Sequence, residues 1–380
     1  MTAPATILIA PDKFKGSLDA AEVAAAIAAG IHAVAPEART VEIPIADGGD
    51  GTVAAALSAG FSPVDVEVRG PVGDPHNTRI AIRDEIAVVE LALASGLALL
   101  PTNRLSPMTA SSYGTGEAIR HALDAGARTI ILGIGGSAST DGGAGMLQAL
   151  GVRISNRIGE ELEPGGAALA STHAVDTSGL DPRIGDATFI LASDVDNPLL
   201  GPAGAAAVYG PQKGANPKQV EKLDAALARF AERTAESIGG DLDFVTLPGA
   251  GAAGGVGYAA MAVLGATMRP GVDVILELTD FETTLPQAGL VITGEGRLDA
   301  QTLHGKGPAG VAQRALRQGI PVAAVCGSLD LKQDALRDAG FIAAYPLTAV
   351  EPDIAICIAE PARLLKICGE LLARELLLGD

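Results

Sequence analysis

Five short loops of this 380-residue chain collect the side chains that could do chemistry on charged groups. Lys13 and Lys15 stand in Pro11-Asp12-Lys13-Phe14-Lys15-Gly16-Ser17, and Asp47 and Asp50 in Ala46-Asp47-Gly48-Gly49-Asp50-Gly51-Thr52. Ser137, Ser139 and Asp141 lie in Gly135-Gly136-Ser137-Ala138-Ser139-Thr140-Asp141-Gly142-Gly143. Asp194, Asp196 and Asn197 form the fourth group; Glu295, Arg297, Asp299, His304 and Lys306 form the fifth. One Asp-Gly or Lys-Gly pair reads as a solvated turn. Five such loops, each after a predicted strand, point to a ligand, because open α/β sheets bind ligands outside the carboxyl ends of their strands. The residue types suit phosphoryl transfer, which needs cations on the moving group and backbone amides around phosphate oxygens. Asp194, Asp47 and Asp50 are hard oxygen ligands of the kind Mg²⁺ takes.

Other chemistries fit less well. Gly133-Ile134-Gly135-Gly136-Ser137-Ala138 and Gly249-Ala250-Gly251-Ala252-Ala253-Gly254 match the dinucleotide glycine pattern. Neither is followed by the βαβ continuation with an acidic residue that a nicotinamide or flavin site needs. Gly305-Lys306-Gly307 is no P-loop, since Ala300 replaces the required earlier Gly and no Ser or Thr follows the Lys. Gly-x-Ser-x-Gly is missing, the five His are scattered, and Cys326, Cys357 and Cys368 lack zinc or disulfide spacing. The cysteines read as buried reduced thiols.

The elements that must position these loops follow from hydrophobic patterning. Thr6–Ala10, Thr40–Ile45, Leu290–Thr293 and Pro321–Val325 are apolar runs of strand length. Helices alternate with them, the first after Ser17, which is placed to cap it. This rhythm predicts a parallel doubly wound α/β domain of Rossmann or flavodoxin-like type, built from residues 1–68 and 286–380. Period-two alternation from Val64 to Arg69 and in 79–90 predicts mixed strands, so residues 69–285 read as an inserted mixed α/β domain. A long amphipathic helix is expected near Pro217–Ile238. The expected ligand site is the cleft between the two domains. The formal net charge of −18 argues against nucleic acid or an anionic membrane as partner. Aromatic residues make up 3% of the chain, too few for a base-stacking platform. No apolar run reaches membrane-spanning length, and the start lacks a secretory pattern, so a cytoplasmic location is expected.

The loops also resemble the class I glycerate kinase family. The resemblance rests on Ala10–Ser17, Ala46–Thr52, Ile134–Gly143, Ala192–Leu199, Tyr209-Gly210-Pro211-Gln212-Lys213-Gly214-Ala215, Gly249–Gly255 and Thr293–Asp299, with Gln301-Thr302 and Gly305-Lys306 after. The segments run in family order over nearly the whole chain; the last ~35 residues diverge most. The resemblance implies a two-domain α/β kinase that uses ATP and Mg²⁺ on D-glycerate, members of this class usually yielding 2-phosphoglycerate. The expected partners are ATP and glycerate, with a homodimer as the assembly.

Roles are assigned as expectations. Asp194, Lys13 and Lys15 are the catalytic candidates, Asp194 and Asp47 the metal ligands. Asp47, Asp50, Arg297, Asp299 and Lys306 are expected to bind substrate, Arg297 by pairing its planar fork with the carboxylate. Gly135, Gly136, Ser137, Ser139, Asp141, Gly251 and Gly254 are expected to bind nucleotide and phosphate. The competing readings are a kinase of another small hydroxy acid, a non-catalytic sugar-acid-binding regulatory module, and a nicotinamide-dependent hydroxy-acid dehydrogenase.

Overall fold

The computed structural model describes residues 6–379 apart from 102, 301 and 303–306. The chain divides into two units. One comprises Met1–Asp47, Ala54–Gly60 and Pro270–Asp380; the other comprises Gly48–Val53 and Phe61–Arg269. These limits differ from the expected 68/69 and 285/286. Strand Ser62–Arg69 pairs antiparallel with Pro75–Arg83 and so goes with the inserted unit. Helices Gly271–Leu278 and Phe281–Thr284 go with the outer unit. There Arg314 bonds both Asp273, at 2.8 Å, and Glu282, at 2.6 Å.

The first unit holds a five-stranded parallel sheet. Its spatial order is Thr40–Glu42, Thr6–Pro11, Ala288–Gly294, Val322–Cys326, Phe341–Pro346. In chain order this is second, first, third, fourth, fifth, the flavodoxin-like arrangement. Its topological switch point lies between the first and third strands. Every residue of Thr6–Pro11 and of Val322–Cys326 is buried, as expected of parallel strands covered on both faces. The second strand is shorter than the predicted Thr40–Ile45, yet Ile43 and Ile45 still donate to the carbonyls of Ile9 and Pro11. Asp19, not Ser17, caps helix Ala20–Val34, in a reciprocal capping box with Glu22. Ser17 instead closes a tight turn by donating its N–H to Phe14.

The second unit holds a six-stranded mixed sheet. Strands Thr267–Arg269, Thr188–Ala192, Thr129–Gly133 and Ile86–Glu90 run parallel, and Pro75–Arg83 and Ser62–Arg69 complete it antiparallel. Helix Pro217–Ile238 occupies the predicted span, capped by Asn216 and Gln219, and buries Leu223, Leu227 and Phe230. Helix Ala252–Val263 is broken by left-handed backbone at Ala253, Gly254 and Gly255. That interruption removes the regular strand-to-helix turn a dinucleotide fingerprint requires. All three cysteines are free and buried. Among the described residues no helix is long and apolar enough to cross a membrane.

Candidate functional site

In the first unit the site residues stand where the sheet order reverses. Asp12 leaves the first strand and donates its N–H to Gly294, the end of the third strand. Its carboxylate is buried, accepts from the Lys13 N–H at 2.6 Å, and lies 3.7 Å from the Lys13 ammonium. Burial pushes the Asp12 carboxyl up to about 7; Lys13 opposes this, and the charges of Asp47 and Glu295 reinforce it. Lys13 is half-buried and Lys15 exposed. Arg297 is turned to carboxylates of its own chain, bonding Asp330 at 2.8 Å and lying 3.6 Å from Asp299. Thr302 donates to Glu295. Lys306 and His304 fall outside the described residues.

In the second unit a different set gathers at the ends of parallel strands. Glu90, buried at the end of its strand, accepts from the N–H groups of Gly51 and Val53, both at 3.0 Å. This carboxylate fixes the loop that carries Asp50 onto the start of helix Thr52–Ser58. The Asp50 carboxylate lies over Gly136: a methyl there would stand 2.3 Å from Asp50 Oδ1, and the φ of +71° is itself one that L side chains rarely adopt.

The loop from Gly133 to Gly143 is held from behind by two buried charges. Asp141 accepts from the Ser112 N–H and hydroxyl and from the N–H groups of Gly143 and Gly145. Lys213, 1% exposed, donates to Ser137 Oγ at 2.8 Å and to the Ser139 carbonyl. Burial pushes the Lys213 ammonium down to about 7, opposed by Asp141. Gly254 packs on the same Ser139 carbonyl, and the Gly251 N–H donates to Asn197. Ser139 Oγ and Thr140 Oγ1 are buried without a hydrogen-bond partner among the described residues. Asp194 is exposed, just past strand Thr188–Ala192.

The first unit therefore brings Lys13, Asp47 and Glu295 within electrostatic reach of Asp12, and sets Arg297 beside Asp299. The second assembles Asp50, Gly135, Gly136, Ser137, Ser139, Asp141, Gly251 and Gly254. Asp141 is turned inward and serves the loop's own backbone. Among the described residues no three His, Cys, Asp or Glu side chains form a metal-binding group. Sequence reasoning gave no role to Asp12, Glu90 or Lys213. The available signal was a charged residue at the end of an apolar strand for the first two, and a Lys between Gly and Pro turns for the third.

A family model for the glycerate kinase family matches residues 7–377. The glycerate kinase of Bacillus subtilis (strain 168) is 45% identical over 344 residues, 90% of each chain. The glycerate 2-kinase of Escherichia coli (strain K12) is 45% identical over 326 residues, 85% of each chain. A crystal structure from Salmonella typhimurium LT2, of a protein described as a candidate glycerate kinase 2, superposes with a TM-score of 0.85 at 42% identity, covering 99% of both chains. The match of a family model to nearly the whole chain and identities in the forties over nine-tenths of it lead to one conclusion: the chain belongs to the glycerate kinase family.

Proposed function

We propose that the protein transfers the γ-phosphate of ATP to D-glycerate, with Mg²⁺, giving 2-phosphoglycerate in the cytoplasm. The relatives named glycerate kinase and glycerate 2-kinase support the acceptor and the position. The observation that carries the chemistry is the loop from Gly133 to Gly143. It leaves a parallel strand, and Asp141 and Lys213 fix its backbone from inside. A loop held this way presents polar groups to an anion without rearranging first, which is how electrostatic catalysis gains its advantage.

The remaining roles follow from residue chemistry. Lys13 and Lys15 neutralise phosphate or glycerate carboxylate against the −18 net charge of the chain. Arg297 and Lys306 bind the acceptor's carboxylate, and Asp299 and Asp50 its hydroxyls. Asp194 orients the attacking hydroxyl, a formal base being dispensable in a loose transition state. Carboxylate oxygens are the donors a hard divalent cation takes, and the charges of Asp47 and Glu295 both act on Asp12. Asp47 and Asp194 are the ligands proposed for Mg²⁺, which keeps several waters and takes few protein oxygens. When bound, Mg²⁺ neutralises charge on the phosphate oxygens.

Purified protein mixed with ATP, Mg²⁺ and D-glycerate tests the reading by ³¹P NMR of the product. A phosphate ester on carbon 2 couples to one proton and gives a doublet, whereas an ester on carbon 3 gives a triplet. A triplet overturns the regiochemistry. No glycerate-dependent consumption of ATP overturns the function.

A further inference from the structure

Lys213 is a buried side chain whose bond to the Ser137 hydroxyl the roles above leave unexplained. It sits in a one-turn 3₁₀ segment, Pro211–Lys213, whose following Gly214 packs on Leu105. A wholly buried ammonium is costly unless its hydrogens find acceptors. Lys213 finds two, Ser137 Oγ and the Ser139 carbonyl, both on the glycine-rich loop and both more than seventy residues away in sequence. Among the described residues, Asp141 on that same loop is the charged group acting on it.

The direction of the bond to Ser137 matters. A charged ammonium only donates, so Ser137 Oγ must accept from it. The hydroxyl hydrogen of Ser137 is then free of Lys213 and points elsewhere. We infer that Lys213 is a positioning residue that turns the Ser137 hydroxyl into an obligatory donor toward a phosphate oxygen of the nucleotide. The inference rests on the phosphoryl-transfer reading of this loop. A neutral amine would have a lone pair, could accept from Ser137, and would withdraw that donor. Burial brings the Lys213 ammonium down to about 7. An anion on the loop favours the charged form, so binding takes up a proton above that pH. Affinity that depends on Lys213 is therefore present below about pH 7 and is lost as pH rises, by up to about tenfold per pH unit.

The test is Mg·ATP binding by isothermal titration calorimetry between pH 6 and 9. The proteins are wild type, Lys213→Met, Ser137→Ala and the double variant, each with a thermal melt. Lys213→Met is expected to bind about tenfold more weakly at pH 6, with the deficit shrinking toward pH 9. The double variant is expected to bind no more weakly than either single one, because one hydrogen bond is removed twice. Wild type titrated at pH 8 in two buffers of different ionisation heat is expected to show proton uptake. That arm needs no variant and stands even if Lys213→Met fails to fold. A pH-independent deficit, additive losses or absence of proton uptake would each overturn the role of Lys213 while leaving the kinase reading intact. Wild type that binds no nucleotide at any pH would overturn both.

Discussion

The Asp141 carboxylate takes two hydrogen bonds from Ser112, one from its backbone N–H at 2.8 Å and one from its hydroxyl at 2.9 Å. Ser111 Oγ and the N–H groups of Gly143 and Gly145 complete the set. Removing the acceptor strands several buried donors, and each hydrogen bond to a charged group is worth about 1.5–3 kcal/mol. Asp141→Ala is therefore expected to cost about 3–5 kcal/mol, lowering the melting midpoint by roughly 6 °C or more. Scanning calorimetry checks this, and a midpoint equal to wild type contradicts it.

Gly254 carries a φ of +68°, and a methyl group there would stand 2.1 Å from the Ser139 carbonyl oxygen. That carbonyl is one of the two anchors of Lys213. Gly254→Ala is expected to displace Ser139, destabilise the protein by about 1–3 kcal/mol, and weaken nucleotide binding. A melt paired with nucleotide titration separates the two effects; a stable variant with normal affinity would show that the contact is inconsequential.

Asp12 gives the protein a specific pH dependence. Burial pushes its carboxyl from the ordinary 3.8 up to about 7 in the folded chain. The folded state therefore holds its proton more tightly than the unfolded state does. The stability this contributes is complete below about pH 4 and is lost as pH rises toward 7. Asp12→Asn is expected to gain stability relative to wild type between pH 4 and pH 8, by up to about 4 kcal/mol. Urea titrations at the two pH values read this directly. A gap that stays constant with pH refutes the assignment.

Asp194 is exposed and follows the strand Thr188–Ala192. An exposed carboxylate contributes little to folding. Asp194→Asn is expected to leave the melting midpoint within about 1 °C of wild type. Turnover should fall by about a hundredfold or more. Turnover close to wild type removes Asp194 from the reaction.

The parallel strands were legible because burial on both faces leaves uninterrupted apolar runs, as in Thr6–Pro11 and Val322–Cys326. Helix Pro217–Ile238 was legible because a helical apolar period, an N-terminal Pro and a capping Asn coincide. The limit at Pro270 was not. Helices Gly271–Leu278 and Phe281–Thr284 bury Val272, Ile275 and Phe281 and bond Arg314 through Asp273 and Glu282, pairings across some thirty to forty residues that no local pattern announces. The loops at strand ends were legible as a set, but their division of labour was not. Asp141 looked like a ligand-facing acid because its true partners, Ser111 and Ser112, lie about thirty residues upstream. Lys213 and Glu90 were passed over because charged side chains are rarely buried, and only tertiary packing shows that these two are.

The first strand of the parallel sheet has as one neighbour a strand from the far end of the chain; the Thr293 hydroxyl reaches the Ala10 carbonyl across 283 residues. On the ribosome, where synthesis proceeds from the N-terminus, the segment Phe61–Arg269 can collapse before Thr293 exists. The opening strand and helix cannot complete their packing until that interval has passed, and the late closure of so long a loop leaves their apolar faces open to misassociation during translation.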